Sequence, residues 1–190
     1  MERFRYGTKE IIATVCSAAL FVLMRHIGSY LAVSGMLNPE VFEWIRPGVV
    51  IVTVCAVFFG PVSGMLCAVA GEFLMYVTAE PNISYPRIIA IGLYGFFVGL
   101  YFGRTHYDPE DFTPRAFMDF NAIQIMCGIF VTMIFLPLAR FIAEDANIYD
   151  EITAGVKSLV GCAVTVGIIC PIIMGIVCAV LVAVHKKRGT

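Results

Sequence analysis

The chain has 190 residues, of which 59% are hydrophobic and only 14% are charged, and its formal net charge is −1. A typical soluble domain is about 45–50% apolar and about 25% charged. This composition therefore excludes a water-soluble globule and leaves no room for a hidden soluble catalytic or nucleotide-binding domain. At about 20 apolar residues per bilayer crossing, the hydrophobic residues supply roughly five or six membrane spans.

The uncharged runs predict an all-α integral membrane protein, a single domain over residues 1–190 with six transmembrane helices. The expected spans are about 10–33, 45–59, 61–78, 86–103, 118–141 and 154–184. One helix from Pro47 to Ala79 would measure ~50 Å at ~1.5 Å per residue, which exceeds a hydrocarbon core of ~30 Å. Because Gly60-Pro61 in the middle favours a break and a tight turn, we expect two short helices in a hairpin there.

The distribution of positive charge predicts the orientation of the spans. Basic residues gather near both ends of the chain and around one connection: Arg3, Arg5, Lys9, Arg104, Arg115, Lys186, Lys187 and Arg188. Cytoplasmic segments of membrane proteins are enriched in Lys and Arg. An even number of spans places both basic ends on the same side, so both termini are expected in the cytoplasm, with the loops near 34–45, 79–86 and 142–153 outside.

Glu72 is the most informative polar residue. It lies 11 residues after Pro61, or ~16 Å into the third span, near the midplane or slightly to its outer side. A carboxylate at this depth must face a cavity, pair with a cation or be protonated. A ligand-binding role and a purely structural ion pair both fit this position.

Cations and aromatic side chains are expected at the outer ends of the spans by the same counting. The cations are Arg25, Arg46, Arg87, Arg140 and Lys157, and the aromatic residues are Trp44, Tyr76 and Tyr85. Each cation alone fits snorkelling towards the interface, and the aromatic residues fit an interfacial belt. Together they also fit a site that captures a small polar or anionic ligand from outside, with aromatic stacking on a flat ring.

Two further patterns concern helix packing. Asn121 and Gln124 in the fifth span are expected to form interhelical hydrogen bonds rather than to contact a ligand. Ala13, Ser17 and Ala18 in the first span belong to a stripe of small residues. Such stripes let helix backbones approach closely, so this one fits internal packing or docking of another membrane protein.

The sequence contains no recognisable motif for catalysis or metal binding. The three histidines are dispersed, and HExxH, GxSxG and phosphate-binding-loop sequences do not occur. The seven cysteines lie in apolar stretches without CxxC spacing, which favours packing roles. We therefore expect no enzyme, no metal site, no cofactor and no nucleic-acid partner, and active transport would need a separate ATPase.

Four segments, taken in order, resemble the substrate-binding S components of energy-coupling factor (ECF) transporters, and in particular the riboflavin-transporter-like S-component family. The segments are SAALFVLMRHI (17–27), AVFFGPVSGMLCAVAGE (56–72), FNAIQI (120–125) and GVKSLVGCAVTVG (155–167). The resemblance covers essentially the whole chain. FFGPVSG is its most specific element, because FGPxxG at the second-to-third turn recurs in these S components.

The resemblance implies a multi-pass protein of the bacterial cell membrane that binds a small vitamin-like substrate from outside. Its implied partners are a transmembrane coupling subunit and two ATPase subunits, within membrane lipid. By this resemblance Ala13, Ser17 and Ala18 contact the coupling subunit. The implied pocket lies in the outer half of the protein and is built by the outer loops and the ends of spans four to six.

The chain departs from the family at positions near the implied pocket. Glu72 stands where close relatives have histidine, Tyr85-Pro86-Arg87 replaces a tryptophan-rich start of the fourth span, and Gly128 and Cys162 replace asparagines. The substrate of a relative should therefore not be transferred to this chain. Riboflavin, thiamine or its pyrimidine precursor, a pyridoxine-type vitamin and a sulfur-containing amino acid all stay open.

The leading hypothesis is an S component that binds its substrate through Glu72, with Arg87 and Lys157 as positive charges on the other wall. Tyr76, Tyr85, Trp44 and Arg46 complete the expected substrate-binding set. The alternative is an autonomous secondary transporter or channel in which Glu72 relays an ion or a proton.

Overall fold

The computed structural model describes residues 7–36, 47–78, 83–104 and 114–188, and every secondary-structure element in these ranges is helical. The helices are α1 (Thr8–Val33), α2 (Pro47–Phe59), α3 (Pro61–Thr78), α4 (Tyr85–Arg104), α5 (Pro114–Ile129), α6 (Leu136–Glu144), α7 (Ile148–Val164) and α8 (Cys170–Arg188). Two π-helical turns, π1 (Phe130–Phe135) and π2 (Thr165–Ile169), join α5 to α6 and α7 to α8. The described part of the chain thus forms six helical segments, of which the fifth is 114–144 and the sixth is 148–188.

Several helices extend beyond the apolar runs that predicted them. The fifth segment begins at Pro114 rather than near 118, and the sixth begins at Ile148 rather than near 154. The first turn of α7 contains Asp150 and Glu151, and carboxylates near a helix N-terminus interact favourably with the helix dipole. A helix can therefore continue into a polar turn, so an apolar run indicates the buried length rather than the helix end.

The break between α2 and α3 falls at Gly60, as the sequence predicts. Gly60 has a φ of +91°, a backbone conformation that glycine adopts without steric cost. Pro61 then begins α3, where its missing N–H group is not needed for an intrahelical hydrogen bond. The two helices form a hairpin through this one-residue connection.

The two π turns each precede a proline by two residues. Pro137 follows π1 and Pro171 follows π2. A proline inside a helix removes a hydrogen bond to the carbonyl four residues earlier, and its ring clashes with that carbonyl. The affected carbonyls belong to Met133 and Gly167, inside the π turns, so local widening of the helix accommodates each proline.

By length and composition, four helices of the described residues are long and apolar enough to cross a membrane. They are Thr8–Val33, Pro61–Thr78, Tyr85–Gly103 and Met118–Glu144. Two shorter apolar helices, Gly48–Phe59 and Gly167–Val180, accompany them. The helices and their apolar surfaces identify a membrane protein.

Close approach of backbones is the main feature of the packing of α1 to α4. A β-carbon added at Gly95 of α4 would lie 2.6 Å from the carbonyl oxygen of Gly64 of α3, so the two helices touch through their backbones. The ring of Phe21 from α1 is fully buried, and it lies against Gly48 of α2 and Gly71 of α3. Side chains at these glycines would push the helices apart.

Gly95→Ala should therefore destabilise the protein, because the new methyl group meets a backbone carbonyl that cannot move away without separating α3 from α4. Overpacking of this kind costs about 1–3 kcal/mol. Gly175→Ala in α8 is the matched control, since a β-carbon there meets nothing within 4 Å. Thermal unfolding in detergent should give a lower midpoint for Gly95→Ala and no loss for the control; equal midpoints would contradict this packing.

Candidate charged ligand site

Three helices bring three charged residues together at one end of the bundle. Because α3 ends at Thr78 and α4 begins at Tyr85, the end of α3 and the start of α4 lie at the same end, which we call the Thr78 end. Glu72 belongs to the last two turns of α3, Arg87 is the third residue of α4, and Arg25 lies in the last third of α1. We call Arg25, Glu72 and Arg87 the ion cluster.

The Glu72 carboxylate is the buried centre of the ion cluster. Glu72 is only 1% exposed, and its Oε1 lies 2.7 Å from Nε of Arg87. Its Oε2 lies 3.9 Å from Nη1 of Arg25, beyond hydrogen-bond distance, and has no hydrogen-bond partner among the described residues. A buried carboxylate needs close compensation of its charge, and Arg87 provides the tighter contact.

The two arginines extend from this buried carboxylate towards the surface. The side chain of Arg87 is 40% exposed and that of Arg25 is 21% exposed. Next to Arg25, Nε2 of His26 lies 3.0 Å from Oγ1 of Thr78. α1 therefore contacts α3 at two positions near the Thr78 end, through Arg25 with Glu72 and through His26 with Thr78.

A second ionic network lies at the same end, between α6, α7 and the residue before α4. Arg140 pairs with Glu144 and with Glu151, at 2.9 Å in each case. The hydroxyl of Ser84 donates a hydrogen bond of 2.8 Å to Glu144. This network ties the start of α4 to the turn between α6 and α7, and its members are more exposed than Glu72.

A third polar group is buried deeper, between α2, α4 and α5. Oγ1 of Thr53 lies 3.1 Å from the Tyr94 hydroxyl and donates to Oε1 of Gln124 at 3.2 Å. The Tyr94 hydroxyl lies 3.4 Å from the same oxygen. The interhelical role expected for Gln124 is confirmed, whereas Oδ1 of Asn121 is buried without a hydrogen-bond partner among the described residues.

The structure brings together only some of the residues that the sequence points to as substrate-binding. Glu72 and Arg87 are in contact, and Tyr76 is buried one turn beyond Glu72 on α3. Arg87 thus pairs with Glu72 rather than facing it from another wall. Tyr85 is exposed at the start of α4, and Lys157 is exposed on α7. Trp44 and Arg46 lie outside the described residues.

The small-residue stripe of α1 is divided between two environments. Ala18 is buried in the bundle, and Ala13 and Ser17 are half-buried. The exposed side of α1 is apolar instead, with Ile12, Leu23 and other large side chains. Ala18 therefore contributes to internal packing, while Ala13 and Ser17 lie nearer the surface.

Arg25 joins the site, although the sequence assigns it only to the five cations expected at the outer ends of the spans and not to a contact with Glu72. Its only signal in the sequence is a positive charge within an apolar run, and this signal is shared with Arg140. The packing of the helices places Arg25 near Glu72 and Arg140 near Glu151. Such pairing depends on tertiary packing, and helix periodicity does not reveal it.

Within the described ranges, no group of three or more His, Cys, Asp or Glu residues is placed to hold a metal ion. The ion cluster itself contains a single carboxylate. Guanidinium groups are hydrogen-bond donors without acceptor capacity, so they do not ligate a cation. The chemistry at this site is therefore that of ion pairing and hydrogen bonding.

An apolar helical protein with a buried ion cluster belongs to the class of helical membrane proteins, in which such charges are rare and commonly mark functional sites. The model of one protein family, described as "ECF-type riboflavin transporter, S component", matches residues 5–188. The chain belongs to this family. The resemblance found in the sequence is thereby confirmed, and the protein is a substrate-binding subunit of the ECF transporter type, which is not an enzyme class.

Curated relatives match most of the chain at low identity. A protein described as a "UPF0397 protein" from Streptococcus pneumoniae (strain Hungary19A-6) is 27% identical over 172 residues, which cover 84% of this chain and 86% of the relative. A protein of the same description from strain CGSP14 is 26% identical over the same coverage. No solved structure matches the chain.

Gln124 and Asn121, two amides of α5 that lie three residues apart, provide a matched test of the buried hydrogen bonds among Thr53, Tyr94 and Gln124. Gln124→Leu should destabilise the protein, because the hydroxyls of Thr53 and Tyr94 lose their shared acceptor in a buried environment. A hydrogen bond of this kind contributes about 0.5–1.5 kcal/mol to stability, and ~0.6 kcal/mol on average in membrane helices. The readout is the thermal unfolding midpoint in detergent.

Asn121→Leu is the control for this measurement. Its side-chain oxygen has no partner to lose among the described residues, so its midpoint should stay at or above that of the unchanged protein. A midpoint lowered equally by both substitutions would show that the Gln124 contacts do not contribute specifically.

Proposed function

We propose that this protein is the S component of an ECF importer and captures a small water-soluble vitamin or a related micronutrient from outside the cell. One observation carries the proposal: Arg25, Glu72 and Arg87, from three different helices, meet at one end of an apolar bundle. Ionisable groups at membrane depth are costly and mark ligand or ion pathways. Membership in the S-component family supplies the transport role.

We further propose a multi-pass topology in the bacterial plasma membrane, with six spans and both termini in the cytoplasm. The four long apolar helices and the two shorter ones support this count. Basic residues near both ends of the chain favour the same side for both termini. In this topology the Thr78 end faces outside, so the ion cluster meets substrate arriving from the medium.

The site has enough polar groups for tight binding. A micromolar ligand corresponds to about −8 kcal/mol and a nanomolar ligand to about −12 kcal/mol. Hydrogen bonds to charged groups contribute about 1.5–3 kcal/mol each. Two or three such bonds in the ion cluster, together with burial of an aromatic ring near Tyr76, would supply this range.

Energy for uptake would come from separate subunits. The sequence contains no phosphate-binding loop, so we propose a transmembrane coupling subunit and two ATPase subunits as partners. On α1 we propose that Ala13 and Ser17, with Ala18 packed behind them, form part of the contact with the coupling subunit. Their small side chains would allow close approach of a partner helix.

Reconstitution separates this function from the alternative of an autonomous secondary transporter. Tagged protein expressed in its natural host should co-purify with a membrane subunit and two ATPases, and vesicles holding the whole assembly should accumulate substrate only with ATP inside. Uptake by the isolated chain, driven by an ion gradient, would contradict the proposal and favour Glu72 as an ion or proton relay.

Glu72→Ala should weaken substrate binding at least tenfold, because the substitution removes the group that holds Arg25 and Arg87 in place. Riboflavin, thiamine, its pyrimidine precursor and pyridoxine serve as probes, and equilibrium dialysis of the purified protein measures their dissociation constants. Glu144→Ala is the control, since it removes a carboxylate at the same end of the bundle without touching the ion cluster. Unchanged affinity in Glu72→Ala would remove the ion cluster from the binding site.

A further inference from the structure

We propose that the ion cluster binds an anionic group of the substrate, a carboxylate or a phosphate, through Arg87 and Arg25, and that Glu72 is a positioning residue. This inference rests on the proposed function and specifies the substrate class of the same site. It differs from the leading hypothesis drawn from the sequence, in which the substrate binds through Glu72 itself.

The first argument concerns access to the cluster. Glu72 is 1% exposed, whereas the side chains of Arg87 and Arg25 are 40% and 21% exposed. A molecule that reaches the cluster therefore touches the arginine side chains before the carboxylate. Oε1 of Glu72 is already held by Arg87 at 2.7 Å and Oε2 is buried, so neither oxygen is open to a molecule that arrives from the surface.

The second argument concerns the chemistry that the arginines present. A guanidinium group donates hydrogen bonds and accepts none, and its planar fork matches a carboxylate or a phosphate. A substrate group bound here must therefore be an acceptor. A cationic group would meet two guanidinium groups and one carboxylate that is buried beneath them, so the cluster disfavours a positively charged vitamin.

The third argument concerns the orientation of Arg87. Glu72 engages Nε of Arg87 at 2.7 Å, which restricts the conformations of the Arg87 side chain between α3 and α4. Arginine side chains carry about 2 kcal/mol of rotamer entropy, and orientation before binding reduces the entropy lost when a ligand is held. Glu72 thus contributes to affinity without touching the ligand.

Pairs of probes that differ only by a phosphate test this proposal. The pairs are riboflavin and flavin mononucleotide, pyridoxine and pyridoxine 5′-phosphate, and thiamine and thiamine monophosphate. Equilibrium dialysis of the purified protein in neutral detergent should show the phosphorylated member of the binding pair held at least tenfold tighter. Equal or tighter binding of the unphosphorylated member would overturn the proposal.

If none of these probes binds, native mass spectrometry of the protein purified from its natural host decides the matter. A bound small molecule with a carboxylate or phosphate supports the proposal, and a neutral or cationic one contradicts it. If no small molecule is present either, the proposed function itself fails. If a neutral or cationic molecule is present, only the proposed preference for an anionic substrate fails.

Variants at the cluster separate ligand contact from a role in folding. Arg87→Gln should weaken binding of the phosphorylated probe more than binding of its neutral counterpart and so abolish the preference, and Arg87→Lys should restore part of the preference. Arg140→Gln is the matched control, because Arg140 pairs with Glu144 and Glu151 at the same end and should not alter the preference. A ratio of affinities that is unchanged in Arg87→Gln would refute the assignment, since loss of folding lowers both affinities together.

A lipid phosphate is the other source of an anionic group at this depth. The same dialysis is repeated with phosphatidylglycerol or phosphatidylcholine added to the micelles. Competition between the phosphorylated probe and phosphatidylglycerol that disappears in Arg87→Gln supports one shared anion site. The other outcome is that phosphatidylglycerol stabilises the folded protein in a way that depends on Arg87, while the phosphorylated and unphosphorylated probes bind equally. This result would assign the cluster to lipid and overturn the substrate assignment.

Discussion

A carboxylate buried among apolar helices must be compensated, and the ion cluster at the Thr78 end meets this requirement. Glu72 faces Arg87 at 2.7 Å and Arg25 at 3.9 Å, so one side chain of α3 connects α4 and α1. Replacing such a group by a hydrocarbon is often neutral or favourable for stability. Its presence among apolar helices therefore supports the proposed role in function over a role in stability alone.

Backbone packing makes this arrangement possible. The contact of Gly64 with Gly95 holds α3 against α4, and Phe21 holds α1 against Gly71 of α3. Both contacts lie on the helices that carry the ion cluster, between the cluster and the opposite end of the bundle. The same close approach that gives the bundle its tight core thus fixes the spacing of the charged side chains.

The sequence predicts the features that depend on local chemistry. It does not predict contacts that depend on which helices pack against each other. The break at Gly60 follows from backbone freedom, and the interhelical role of Gln124 follows from its amide at membrane depth. Nothing local indicates that Arg87 contacts Glu72 directly or that Arg25 joins them, because these contacts depend on which helix faces meet. The widening ahead of Pro137 does not follow from the sequence, because a proline in an apolar run predicts a kink but not its form.

A double-mutant cycle on Glu72→Gln and Arg87→Gln tests the central claim that these two side chains act as one unit. Thermal or denaturant unfolding in detergent gives the free energy of unfolding of the unchanged protein, both single variants and the double variant. The account predicts that the single losses are not additive, with a coupling energy of at least about 1.5 kcal/mol. Losses that add within about 0.5 kcal/mol would contradict it, because the two charges would then be independent.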